Sequence, residues 1–321
     1  MKYVVLLLIL VGLVSCGKQN KLEKEIEKIA VNFEVERFDK AFDTVTPEGL
    51  PQLKNTYPFM FPKHYSDAFW INRMADTLQQ ELVSESVRIF NDFTPEKQQI
   101  TSLFKHLKYY FPEFRVPRVI TSTSSVDYRN KVIVTDTIVL ISIDTYLGKD
   151  HVFYQGIQNY LKANFERDQI VVDMAAAYAE KYIFQTDRKT LLDEMIYFGK
   201  QLYFKDVMLP KVSDATKIGY TEDHLQWAKE NEWFIWNYFI GKELLFNTDS
   251  KLPSRFINPA PFSKFYLELI DNESPGRIGQ YIGWQIVKSY MANNNVSLKT
   301  MLQADPSEIF NTSKYKPEEN D

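Results

Sequence analysis

Imidazoles, thiols and paired carboxylates build most active sites, and this chain disperses them. Its four histidines, His64, His106, His151 and His224, are far apart, with no two inside one or two helical turns. A zinc hydrolase of the HExxH type needs two imidazoles one turn apart so that both reach one Zn²⁺, with the glutamate activating water. The nearest approach is Ala179-Glu180-Lys181-Tyr182-Ile183, which has the glutamate and neither histidine. Glu180 therefore reads as a solvated or ion-paired helix residue. No G-x-S-x-G elbow offers a serine nucleophile, and pairs such as Glu230 and Glu232 or Asp193 and Glu194 look like ordinary helix charges. A single cysteine, Cys16, excludes an internal disulfide and a Cys-based zinc site. No catalytic residue, metal ligand or cofactor site is expected.

The segment with the most distinctive spacing is Ser274-Pro275-Gly276-Arg277-Ile278-Gly279-Gln280-Tyr281-Ile282-Gly283-Trp284. Gly276, Gly279 and Gly283 are three and then four residues apart, so on a helix they share one side, where a neighbouring helix or a ligand can come close. Helix-on-helix packing is the expectation. The segment is no dinucleotide fingerprint, because the G-x-G turn is missing and no strand precedes it. Arg277 has the chemistry to bind a carboxylate or phosphate, and a structural ion pair is the expected use.

Cys16 has a different context. Lys2 is followed by an apolar run from Val4 to Val14, shorter than the roughly 20 residues a membrane-spanning helix needs, as in a secretory signal peptide. Leu13-Val14-Ser15-Cys16 resembles the bacterial lipobox, in which the cysteine becomes the acylated first residue of the mature chain. Each buried acyl CH₂ contributes about 0.8 kcal/mol, so several chains would anchor the protein durably. Residues 1–15 then form the signal peptide, 16–30 a lipidated cysteine with a Lys- and Glu-rich solvated tether, and 31–321 one domain. Gly17-Lys18-Gln19-Asn20 does not resemble the acidic run that surface-displayed lipoproteins tend to carry after the cysteine, so the lipobox resemblance implies an anchor facing the periplasm.

The elements follow from periodicity and caps. Alternation over Val31, Phe33, Val35 and Arg37 predicts a strand. Prolines at 47, 51, 58 and 62 predict irregular chain, and a helix is expected over 71–90. Thr94 with Pro95 starts a helix that carries Ile100, Leu103, Phe104 and Leu107 and places His106 on its polar face. Strands are expected over 115–122 and, split by Thr135-Asp136-Thr137, over 131–144, giving a small sheet of about four strands. Beyond Gly148 the chain reads as helical. A capping-box spacing opens a helix at Thr190, with Leu191, Met195, Phe198 and Leu202 inward. Thr221 caps another, helix is expected over 277–292, and Asp305-Pro306 starts the last. The aromatic run from Trp233 to Phe239 predicts burial, with 242–246 continuing its helix. The fold class is α+β, mostly helical with one small antiparallel or mixed sheet.

Composition agrees with a packed domain. The 321 residues are 45% hydrophobic and 15% aromatic with a net charge of −4, which argues against disorder and against a polybasic nucleic-acid binder. Glycine, at 11 residues, is about half its usual level of roughly 7%.

Several segments together resemble the gliding-motility lipoprotein GldB family of the Bacteroidota. They are the lipobox at Cys16, VERFDKAF at 35–42, TLLDEMIYFGKQLYF at 190–204, KIGYT at 217–221, NEWFIW at 231–236, SPGRIGQYIGWQIVKSYM at 274–291 and SKYKP at 313–317. The resemblance implies a membrane-anchored, non-catalytic part of the gliding apparatus linked to type IX secretion, with other machinery proteins as partners. It is also distantly similar to zinc peptidases of the HExxH type, which implies a zincin-like, degenerate fold in which Glu180 and Phe198 mark the former site. The alternatives are a hydrolase with an unrecognised site and a ligand-binding envelope lipoprotein, the latter needing a doubly wound sheet.

Overall fold

The computed structural model describes residues 21–184, 187 and 189–319, so Cys16 and the apolar run before it lie outside the described residues. In chain order the helices are α1 (residues 21–27), α2 (Phe38–Thr44), α3 (Leu50–Thr56), α4 (Asp67–Met74), α5 (Thr77–Ile89), α6 (Thr94–Tyr110), α7 (Asn159–Lys162), α8 (Gln169–Tyr182), α9 (Leu191–Met208), α10 (Asp214–Ile218) and α11 (Glu222–Glu230). They continue with α12 (Glu232–Gly241), α13 (Leu252–Phe256), α14 (Glu268–Glu273), α15 (Ile278–Asn293), α16 (Leu298–Gln303) and α17 (Pro306–Ser313). The strands are β1 (Val35–Arg37), β2 (Arg118–Ser122), β3 (Val132–Val134) and β4 (Ile138–Ser142).

They form one mixed sheet in the order β1-β2-β4-β3. β2 runs parallel to both β1 and β4, and β3 closes an antiparallel hairpin with β4. Side chains alternate across the pleat, so the sheet separates two cores. Val119, Val139 and Ile141 face the large one with the helices that follow. Ile120, Ile138 and Leu140 face a smaller aromatic cluster of Phe38, Phe42, Leu50, Tyr57 and Phe61.

The helical centre is the pair α9 and α15. α9 starts where expected: the Thr190 side chain accepts from the Asp193 N–H at 3.1 Å and Asp193 accepts from the Thr190 N–H at 2.9 Å. Its burial is wider than one stripe, because Ile196, Lys200, Gln201 and Phe204 join Leu191, Met195 and Leu202 inside. Each fully buried Ile, Leu or Phe contributes about 1.5–3 kcal/mol.

Five local expectations change. The helix foreseen over 71–90 is two helices, because the Asp76 carboxylate accepts the Gln79 N–H at 2.8 Å and restarts the chain as an N-cap. The proline-rich stretch holds α3 and two 3₁₀ turns, since Pro47, Pro51 and Pro58 each sit in a first turn where no amide donor is needed, while Pro62 lies in irregular chain. Residues 242–246 do not extend α12, which ends at Gly241 before Glu243 turns left-handed at φ 52°. Within the aromatic run only Ile235 and Phe239 are fully buried, and Phe234 is exposed.

The fifth change concerns the stretch read as a tether. From residue 21 it is a docked helix: Ile26 is 1% exposed, and Lys105 and Lys108 donate to the carbonyls of Glu27 and Ala30 at 2.6 and 3.0 Å. The same helix covers His106, which is buried on α6 and meets the Ser102 carbonyl at 2.8 Å.

Candidate functional site

Chemistry-bearing side chains converge where α8, α9, α10 and the start of α15 meet. A cavity of about 200 Å³ there is lined by Lys131, Asp173, Lys205, Lys217 and Arg277, with Tyr128, Tyr160 and Phe165 among its aromatic walls. Five charged groups around so small a space, four of them cations, is an arrangement that a core built only for stability avoids.

Local structure explains each placement. α10 begins at Ser213, whose hydroxyl accepts the Thr216 N–H at 3.1 Å, and ends in a left-handed Gly219 at φ 71°. Tyr220 N–H returns to the Ala215 carbonyl at 2.8 Å, which completes a Schellman turn. This exposes the Gly219 carbonyl, which accepts from Arg277 Nη2 at 2.8 Å and Asn164 Nδ2 at 3.2 Å. A Cβ on Gly219 would stand 2.7 Å from Asn164 and 3.2 Å from Arg277 Nη2. Arg277 sits immediately before α15 in the left-handed region, at φ 64°, a conformation costing a non-glycine residue about 1–2 kcal/mol.

The charges do not cancel. Lys217 Nζ is held by Asp206 at 2.9 Å and Asp214 at 3.2 Å, and Lys131 pairs with Asp173 at 2.5 Å. Tyr146 also donates to Asp173, at 2.8 Å. Lys205 donates to a carbonyl, that of Lys217, at 2.9 Å. Among the described residues neither Lys205 nor Arg277 has a carboxylate within ion-pair distance. Burial is the main force that pushes the Lys205 ammonium down to about 8, with the charges of Arg277 and Lys131 adding to it and Asp173 opposing. Burial likewise lowers the Arg277 guanidinium. The ion pair expected for Arg277 is therefore replaced by a carbonyl contact and by the Tyr220 ring, 5.5 Å away. A narrower cleft of about 110 Å³ adjoins on the side of His224 and Gly276, and Arg277 lines both spaces.

The three glycines divide their roles. Gly283 lies in the α9–α15 crossing, where a Cβ would be 1.8 Å from the Met195 carbonyl oxygen, and its partner Gly199 would place one 2.3 Å from the Gly283 oxygen. Gly279 fits against Phe256, Ile257 and Met195. Gly276 precedes the helix, and a Cβ there would stand 2.2 Å from the Ala260 carbonyl oxygen. Two of them thus serve helix packing as expected, and the third packs loop on loop.

Other expected positions stay apart. Glu180 is exposed near the end of α8, and Phe198 is a half-buried member of the core. His64 lies beside the Tyr65 ring, His151 contacts Glu85 at 3.2 Å and caps Phe153, and His224 follows Thr221 at the start of α11. Among the described residues no three His, Cys, Asp or Glu side chains are grouped to hold a metal ion, and no helix is long and apolar enough to cross a membrane. The sequence reading missed Lys131, Asp173, Lys205 and Lys217. The available signal was Lys205-Asp206, a charged pair inside a helix that is apolar on several sides.

These features describe a mostly helical α+β protein built on a glycine-mediated helix crossing, with a cationic cavity beside it. The sequence profile of the family described as gliding motility protein GldB matches residues 19–317, and the chain belongs to that family. No curated protein and no solved structure matches it. Two of the segments that carry the resemblance, 217–221 and 274–291, meet at the cavity through Lys217, Gly219 and Arg277.

Proposed function

We propose that this protein is a lipid-anchored, non-catalytic component of the gliding-motility apparatus, held to the cell envelope through acylated Cys16, facing the periplasm and working with type IX secretion. The observation that carries this reading is the family match over residues 19–317. The lipobox-like Leu13-Val14-Ser15-Cys16 supports the anchor, and the dispersed histidines support a role without metal-dependent hydrolysis. The domain's task on this reading is to bind and hold partners of the machinery at the membrane.

The test is genetic. A deletion strain is expected to lose colony spreading and to regain it with the wild-type gene. The Cys16→Ser form should remain unacylated and fail to restore spreading. Normal spreading after deletion would refute the motility role. Stoichiometric zinc in the purified protein would refute the non-catalytic reading and favour the hydrolase alternative.

A further inference from the structure

We propose that the cavity between α8, α9, α10 and the start of α15 is a binding site for a small phosphate monoester, free or as the end group of a larger molecule. Three features of the site identify the ligand: its charge, its donor geometry and its volume.

Charge comes first. Lys217 and Lys288 share Asp206 and Asp214, two cations against two carboxylates, and Lys131 pairs with Asp173. Lys205 and Arg277 remain as two cations with carbonyl contacts and no carboxylate partner among the described residues. Two uncompensated cations facing one desolvated space call for two negative charges on the occupant. A phosphate monoester carries about 1.5 to 2 at neutral pH.

Donor geometry agrees. Arg277 spends Nη2 on the Gly219 carbonyl, and the rest of its planar fork is the kind of donor set that grips phosphate oxygens in pairs. Lys205 supplies a point charge from another element. Arg277 is held in place by a left-handed backbone and by a carbonyl that only the Gly219 turn presents. Such strain is maintained where surrounding structure over-determines it, commonly at ligand clamps.

Size narrows the class. About 200 Å³ lies below the roughly 300–1,000 Å³ of pockets for drug-sized ligands. The space admits a phosphate with a few carbons beside Tyr128, Tyr160 and Phe165.

The test uses the full acylated chain in detergent, titrated calorimetrically with glycerol 3-phosphate, dihexanoyl phosphatidate and succinate. Glycerol 3-phosphate or phosphatidate should bind saturably with a Kd of about 10 μM to 1 mM. Succinate should bind about tenfold more weakly or worse, since carboxylates lack the third oxygen. Tighter binding of phosphatidate indicates a lipid headgroup as the source, and tighter binding of glycerol 3-phosphate a free metabolite. Arg277→Lys and Lys205→Met should each weaken the preferred ligand about tenfold or more, with circular dichroism confirming the fold. Absence of saturation by both phosphate probes up to about 10 mM in the wild-type protein overturns the proposal even if a variant fails to fold. Equal affinity for succinate, or unchanged affinity in both folded variants, also overturns it.

Discussion

Replacing Gly283 by alanine would place a methyl carbon 1.8 Å from the Met195 carbonyl oxygen, 2.4 Å from its carbon and 3.0 Å from its Cα. These are backbone atoms of α9, so no rotamer change relieves the clash. To reach the optimal 3.5 Å or so for non-bonded carbon, α15 must retreat from α9 by more than about 1.5 Å. The retreat also draws the fully buried Ile282, Trp284, Ile286 and Val287 off their neighbours. A gap of 0.5–1 Å already forfeits about a quarter to a half of each dispersion contact. Overpacking a core ordinarily costs about 1–3 kcal/mol, and two helix backbones in contact put this site at or above the upper end. At about 2–4 °C per kcal/mol, a cost of about 3 kcal/mol should lower Tm by roughly 6–12 °C.

Two further glycines calibrate the experiment, since each receives the same methyl group. Gly241 is exposed at the last residue of α12 with nothing within 4 Å of a Cβ. Gly241→Ala should be neutral or stabilising by up to about 0.5–1 kcal/mol through reduced unfolded-state entropy. Gly156 is equally open but has φ +85°, so Gly156→Ala pays about 1 kcal/mol of backbone strain without a clash. Scanning calorimetry should rank Gly241→Ala first, then wild type, Gly156→Ala and Gly283→Ala. Adding Gly199→Ala to Gly283→Ala should cost less than it does alone, because both methyls enter one crossing. A Gly283→Ala protein as stable as Gly156→Ala would refute the close crossing.

Other perturbations test separate parts of the structure. Lys200 is buried and donates to the carbonyls of Leu302 and Ala304 at 3.2 and 2.6 Å, tying α9 to the end of α16. Burial pushes its ammonium down to about 8, and Lys205 likewise, from 10.5 in the unfolded chain. Between those values the unfolded state holds more protons, so urea midpoints should rise as pH increases from about 8 toward 10 and fall again when unfolded tyrosines ionise. Lys200→Met should flatten part of that rise, and an unchanged slope would contradict the assignment. Asp144 accepts the Ser124 and Val126 N–H groups at 3.0 and 2.7 Å and holds Ser125 and Val126 left-handed at φ 58° and 60°. Asp144→Ala should therefore cost about 2–4 kcal/mol in chemical denaturation. Arg277→Gly should be about 1–2 kcal/mol more stable than Arg277→Ala, since only glycine relieves the left-handed backbone. Equal stability of the two would remove the strain argument.

What the sequence disclosed was largely local. Thr190, Thr221 and Asp305 cap helices in the structure because a cap needs only residues two or three positions away. The Thr135-Asp136-Thr137 turn is legible for the same reason: the Thr135 hydroxyl accepts from Thr137 and Ile138 within the turn. His106 was misplaced because its surroundings come from Glu23 in α1, 83 residues earlier. The cavity was illegible on the same grounds. Arg277 and the Gly219 carbonyl are 58 positions apart, and a lysine on an otherwise apolar helix such as Lys205 shows no pairing until the fold supplies or withholds a carboxylate.

The glycine crossing and the cationic cavity involve the same two helices. α9 carries Gly199 and Lys205, and α15 carries Gly283 and follows directly on Arg277. They are joined again beyond the crossing, where Trp284 donates to Asp206 at 2.7 Å and Lys288 lies 3.6 Å over the Trp284 ring. Asp206 is also the carboxylate that neutralises Lys217 at the cavity wall. Any shift of α15 against α9 therefore changes the distance between Arg277 and Lys205 and loosens the group that holds Lys217. A ligand that bridges the two free cations would resist that shift, and opening the crossing would weaken the ligand. Rigid packing at Gly283 and anion binding at Arg277 are accordingly coupled through one pair of helices, so Gly283→Ala should lose affinity for the phosphate probe although it touches no ligand.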